Sequence, residues 1–305
     1  MPLLGETLAL SAAITWAIAL VLFKRCGDSI PPVALNLFKS TIGIALLAVT
    51  LLAMGEGLSV LAPFQREDIY ILIISGVLGI ALADTIFLYA LNLVGVGIIS
   101  IVDCAYSPFA ILFAFLMFSE KLTLYHYLGG GLILAGVFLS SRHPPPAGRT
   151  RREITLGVLL SLVAMAMVTG GIVYAKPVLE VAGFPLLWAT MIRLLFGTVA
   201  LALLALASPR RRIHWAAFRP ANVWWLSVPA SILGAYLSMV CWVGGFKYAS
   251  ASVAAILNQT SVVFALLLAT WVLKEALTRR KLLAIVVALS GLVLMLHEEI
   301  TYLVT

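Results

Sequence analysis

The sequence predicts an all-α polytopic membrane protein, with ten transmembrane helices arranged as two inverted five-helix repeats. Three observations predict it. First, 63% of the 305 residues are hydrophobic and only 11% are charged, against about 25% charged in soluble domains. The mean hydropathy of +1.11 says the same. A soluble domain of this length has no interior large enough for so much apolar surface, so a water-soluble enzyme, a disulfide scaffold and a disordered chain are excluded. Second, the apolar residues fall into ten stretches, each close to the length that one membrane helix needs. Third, the second half of the chain echoes the first.

The first five stretches lie at about 5–24, 32–54, 68–92, 97–118 and 122–140. The second five lie at about 154–176, 184–207, 221–246, 251–273 and 279–297. This divides the chain into a first repeat at 1–141, a linker loop at 142–153, a second repeat at 154–297 and a tail at 298–305. The connections are short and leave no room for a soluble catalytic domain or a nucleotide-driven motor. No Gly-x-x-x-x-Gly-Lys-Ser/Thr phosphate loop is present, which argues against ATP hydrolysis. The first stretch has no basic segment before it and no small-residue cleavage site after it, so it reads as a retained helix.

The formal net charge is +7, and its placement carries the information. Alternate loops hold Lys24, Arg25, Arg142, Arg149, Arg151, Arg152, Arg210, Arg211, Arg212, Arg219, Lys274, Arg279, Arg280 and Lys281, fourteen in all. The remaining loops hold four: Arg66, Lys121, Lys176 and Lys247. Short basic loops stay in the cytoplasm. The expectation is a multi-pass inner (plasma) membrane protein with both termini outside the cytoplasm, and not a nucleic-acid binder.

Cys26, Cys104 and Cys241 fall on three different spans, which suits neither a disulfide framework nor a metal site. His126, His143, His214 and His297 lie in loops or near helix ends. A membrane-embedded hydrolase would need His or a His/Glu pair inside the apolar core. No enzyme activity, cofactor or metal is therefore expected.

The repeat is read from matched positions. Ser119-Glu120-Lys121-Leu122-Thr123 follows the fourth stretch, and Lys274-Glu275-Ala276-Leu277-Thr278 follows the ninth. The offset of 155 between Glu120 and Glu275 also carries Gly79 onto Gly234 and Gly136 onto Gly291. Lys39 and Gly43 fall on Arg193 and Gly197 at 154, and Lys24 falls on Lys176 at 152. Such drift marks changes in loop length. A repeat with an odd number of spans enters the membrane in the opposite sense, so the halves are inverted about a pseudo-two-fold axis in the membrane plane. Many secondary transporters share that architecture, with a substrate site near the midplane between the repeats.

These features resemble the drug/metabolite transporter superfamily, and within it the EamA-type exporters. The resemblance rests on the paired Glu-x-Leu-Thr motifs and on the paired Lys39/Gly43 and Arg193/Gly197, and it spans essentially the whole chain. Lys39 departs from the Arg more usual at that position. The resemblance implies export of small metabolites, amino acids among them. Within the family the chain is most similar to the aromatic amino-acid exporters of the YddG type.

Charged and polar residues inside spans are costly and mark candidate sites. In chain order, Trp16 is a mid-span aromatic of the first stretch. Lys39 in the second, Asp84 in the third and Asp103 in the fourth sit at similar depth. One carboxylate would neutralise Lys39, and the other could carry a proton, so proton coupling is a candidate. The alternative is a structural ion pair. Tyr89 is a further mid-span aromatic. Asp103, Tyr106 and Ser107 share one helical face, and Pro108 frees the carbonyl of Cys104 beside them. Pro229 in the eighth stretch has the same potential.

In the second repeat, Arg193 is the mate of Lys39, but Asp84 maps to Met239 and Asp103 to Asn258. Arg193 either snorkels or bonds backbone carbonyls, or, with Asn258 and Gln259, orients a substrate carboxylate. Tyr106, Tyr236 and Trp242 are candidates for the apolar wall. Trp224, Trp225 and Trp271 near span ends fit an interfacial belt, and the glycines fit close helix packing. The resulting expectation is a secondary transporter that exports small, amphipathic molecules by alternating access. A nucleotide-sugar or sugar-phosphate carrier, which would need several inward cations, and a non-transporting structural protein are the alternatives.

Overall fold

The computed structural model describes residues 3–62, 64–118, 123–141, 150–181, 183–216, 224–249, 254, 257–275 and 278–295. Residues 142–149 of the linker expected at 142–153, the tail at 298–305, Arg219, His297, Glu120, Lys121, Leu122, Ala276 and Leu277 lie outside the described residues. The described chain is all-α. Six of its helical runs are long and apolar enough to cross a membrane, and Tyr106–Phe118, Leu124–Leu139 and Leu257–Val272 are shorter apolar helices.

The first repeat begins with helices Leu4–Gly27 and Pro32–Ala53, the latter opened by a proline at the position where no amide is needed. Its third and fourth spans run through one continuous stretch, Arg66–Asp103, with non-helical backbone at Gly95. Gly95 has φ +78, a left-handed conformation that glycine adopts without penalty. The break therefore falls between the stretches expected at 68–92 and 97–118. Helices Tyr106–Phe118 and Leu124–Ser141 complete the repeat.

The second repeat starts with helix Arg151–Glu180, opened by a reciprocal capping box between Thr150 and Glu153. Helix Leu186–Ala207 follows, then the run Trp224–Tyr248, the residues of the ninth span, and helix Arg279–Met295.

Two irregularities recur at the repeat offset. Val77–Ala83 in the third span and Ile232–Ser238 in the eighth are π-helical turns, 155 residues apart at both ends. The widened turns end at Asp84 and Met239. The fourth span also stops at Asp103 and resumes at Tyr106, with Ala105 N–H donating to Val102 O at 2.8 Å. The ninth span turns at the matching place, where Thr260 N–H donates to Leu257 O at 3.2 Å. Pro108 explains the first break, because it leaves the Cys104 carbonyl without its helical donor. Its mate is Val263, so the second break needs another device: the Thr260 hydroxyl donates to Leu257 O at 2.6 Å. Pro229 lies inside helix Trp224–Ser231, just before the π turn.

In lipid the hydrophobic effect does little to hold one helix to another, so close backbone packing has to do it. The glycines supply that packing with the same two-fold logic. A Cβ on Gly197 would lie 2.6 Å from the Gly76 carbonyl oxygen, so the seventh span packs directly on the third. Its mate Gly43 would place a Cβ 2.9 Å from the Ala235 carbonyl oxygen, so the second span packs on the eighth. The fifth and tenth spans clasp each other through Gly136, 2.7 Å from Ala284 O, and Gly291, 2.5 Å from Gly129 O. These contacts cross between repeats, so neither half completes its packing alone.

Candidate functional site

The two repeats enclose a cavity of about 170 Å³. Its wall includes Trp16, Lys39, Asp84, Phe87, Asp103 and Tyr106 from the first repeat, and Val168, Ser238, Met239, Trp242, Asn258, Gln259 and Ser261 from the second. Almost every wall residue has its repeat mate in the same wall. Ala12, Ala13 and Trp16 face Ala164, Met165 and Val168 at an offset of 152. Ala83, Asp84, Phe87, Asp103 and Tyr106 face Ser238, Met239, Trp242, Asn258 and Ser261 at an offset of 155. The pseudo-two-fold axis therefore passes through the cavity.

The mates differ in chemistry, and the difference has a direction. The charged wall residues Lys39, Asp84 and Asp103 all belong to the first repeat. The second repeat contributes hydroxyls, amides, Met239 and the Trp242 indole. One half of the wall is thus charged and the other neutral.

Lys39 and Asp84 form an ion pair at 2.5 Å, with the Lys39 side chain only 5% exposed. Of the two carboxylates at similar depth along the sequence, Asp84 is thus the one that neutralises Lys39. Asp103 sits in the same wall, and its Oδ1 is buried without a hydrogen-bond partner. Asn258, its mate, buries an unpartnered Nδ2. Gln259 donates from Nε2 to the Asp103 carbonyl at 3.3 Å, where the broken helix leaves that acceptor available.

Aromatic rings form the apolar part. Trp16 and Phe87 lie 5.9 Å apart between centroids, and Tyr106 meets Trp242 edge-on at 6.5 Å. Arg193 is not in the wall but directly behind it. It is 2% exposed, its Cζ lies 5.5 Å from the Trp242 ring centroid, and its Nε and Nη1 are buried without partners. Asp84 and Tyr106 are within electrostatic range of it.

Of the other expected site residues, Ser107 is buried beside the wall with an unpartnered hydroxyl. Tyr236 shares a 2.7 Å hydrogen bond with the Thr50 hydroxyl, tying the eighth span to the second. Tyr89 is 47% exposed and lies away from the cavity. Phe87, Ser238 and Met239 are wall residues that reading for charge and mid-span aromatics passes over. The repeat offset would have found Phe87, since it falls on Trp242.

The EamA-like transporter profile matches residues 3–142 and again 155–297. The chain belongs to the EamA-like transporter family. A solved structure described only as the crystal structure of a protein is 20% identical, covers 95% of this chain and 95% of its own, and superposes with a TM-score of 0.66. That likeness concerns the fold. No curated relative matches the sequence. As an EamA protein, the chain is a multi-pass membrane transporter of a small-molecule substrate, and its two matched segments are the two repeats seen in the wall of the cavity.

Proposed function

We propose that this EamA transporter exports small amphipathic metabolites, amino acids above all, across the inner (plasma) membrane by alternating access, with both termini outside the cytoplasm. The supporting observation is the cavity on the pseudo-two-fold axis, walled by repeat mates. Two inverted halves give two nearly equivalent states, and a site on their axis belongs to both. The wall chemistry suits a zwitterion with an apolar side chain. Asp103 offers an acceptor for an ammonium group. Asn258 Nδ2 and Gln259 offer donors to a carboxylate from the wall, and Arg193 offers them from directly behind it. Trp16, Phe87, Tyr106 and Trp242 receive an apolar or aromatic side chain. A sugar-phosphate would ask for several cations in the wall, and Lys39 is the one cation among the described wall residues, already neutralised by Asp84.

In this reading Lys39–Asp84 is a structural pair, and Asp103 is the group that carries a coupled proton. Lys39, Asp84 and Tyr106 share its wall. The test is a counterflow panel on reconstituted protein, with amino acids, their amides and their decarboxylated amines as competitors, with and without a pH gradient. Competition by amino acids above both truncated classes supports the reading. Equal competition by all three, or none by any, refutes it.

A further inference from the structure

The Glu-x-Leu-Thr motif is the sequence feature that the cavity does not use. We propose that the Glu275 carboxylate is a latch between the repeats, which holds the cavity shut toward the face carrying Lys24, Arg25 and Lys281. The proposal rests on the alternating-access reading and adds the group that controls one of its two openings.

The geometry joins one repeat to the other. Oε1 of Glu275 accepts from Val96 N–H and Oε2 from Gly97 N–H, both at 2.9 Å. These are the first amides after the break at Gly95, so no helical carbonyl precedes them to accept their hydrogens. A carboxylate there satisfies both donors and meets the positive end of the fourth-span helix. The docking place is bare of side chains by necessity. A Cβ on Gly95 would lie 2.8 Å from Oε1, and one on Gly97 2.8 Å from Oε2. Lys281 Nζ stands 3.5 Å from Oε2 and adds a charge that holds the carboxylate in place. The Glu275 amide itself donates to Ala269 O at 3.1 Å.

A second tie lies at the same face. Arg25 Nη2, at the end of the first span, donates to Val272 O, at the end of the ninth, at 2.8 Å. Between these ties and the cavity lies the largest apolar cluster. Along the first span the order is Trp16 in the wall, Leu20 and Phe23 in the cluster, then Arg25 tied. Along the third it is Phe87, then Leu91 and Val94, then Gly95. Along the ninth it is Ser261, then Ala265 and Ala269, then Glu275. Opening this face means parting the first repeat's ends from the ninth span, and that breaks the Glu275 bonds. Charge-assisted bonds to main-chain amides are strong enough to hold the closed state. With the Glu275 side chain 21% exposed, water can take them over when they part.

A reporter cysteine at Ser261, in the cavity wall, tests this with a small membrane-impermeant thiosulfonate in right-side-out and inside-out vesicles. Asp28→Cys, in the exposed turn between the first two spans, identifies the face on which the reagent acts. Labelling is read above that of the protein without the reporter, whose Cys26 and Cys104 are buried and whose Cys241 is partly exposed. E275Q and G97A are each expected to raise labelling from the Glu275 face about tenfold and to lower it from the opposite face. G97A covers the case in which E275Q fails to fold, because its methyl displaces only the ends of the flexible Glu275 and Lys281 side chains. If the Ser261 reporter with an intact Glu275 latch is labelled from both faces and neither E275Q nor G97A changes the ratio, the latch is overturned and alternating access stands. If the reporter is reached from a single face in every variant, even during counterflow, alternating access falls and the latch with it.

Discussion

Met239→Asp asks whether the second repeat's missing acid is the place where a substrate carboxylate sits. Lys39 and Asp84 show what the complete pair looks like: 2.5 Å between charges, with side chains 5% and 21% exposed. Their mates are Arg193 and Met239, and Met239 lines the cavity as Asp84 does. An aspartate at 239 would therefore reach toward Arg193, whose Nε and Nη1 are now without partners. Two unit charges about 4 Å apart attract by about 4 kcal/mol at an effective dielectric of about 20, and desolvation offsets part of that. A net gain of about 1.5–3 kcal/mol converts to a loss of about tenfold to a hundredfold in apparent affinity for any competing carboxylate. The assay is inhibition of counterflow by matched pairs of amino acids and their amides. M239D should weaken the acids and spare the amides, and M239N, the same shape without the charge, should keep the preference for acids. A uniform loss across both classes in M239D, or an unchanged preference, would refute a carboxylate at this position.

D103N should abolish transport driven by a pH gradient while sparing exchange, measured as net uptake against counterflow in the same vesicles; a parent protein indifferent to the gradient removes the role given to Asp103. G197A forces a methyl to 2.6 Å from the Gly76 carbonyl oxygen and should cost about 1–3 kcal/mol, read as a lower unfolding midpoint in detergent. Y236F removes a hydrogen bond to Thr50 and should lower stability by about 0.6 kcal/mol with no change in substrate preference; a changed preference would return Tyr236 to the binding wall. A cysteine at Gly148 should resist an impermeant thiol reagent in intact cells, and ready labelling there would reverse the orientation argued from the basic loops.

The sequence by itself determined the class and the plan. Membrane spans are set by local composition, because every residue in lipid faces the same solvent, so apolar length reads directly as a helix. The repeat is equally local, since Gly43/Gly197 and Glu120/Glu275 need only be aligned with one another. Charge and polarity inside a span are conspicuous against that background. Lys39, Asp84, Asp103 and Asn258 are therefore legible as candidates from the chain alone, and all four share one wall.

What only the tertiary structure decided is which neighbours those residues have. Lys39 could have paired with either carboxylate, and the π turn that ends at Asp84 brings that one to 2.5 Å. Mid-span aromatics look alike along the chain, yet Trp16 and Trp242 reach the cavity, Tyr236 bonds Thr50, and Tyr89 is exposed. Phe87 and Met239 are apolar residues in an apolar chain, so nothing local separates a wall residue from a lipid-facing one. The Glu275 bonds to Val96 and Gly97 span 179 and 178 residues, and they exist because a glycine break bares two amides. Rotation of a helix about its axis and the partner of a lone charge are set by packing between helices, within a repeat for Lys39 and Asp84 and across the repeat interface for Glu275. Across the interface that packing joins residues as far apart as Gly76 and Gly197 or Gly43 and Ala235, beyond what any local pattern encodes.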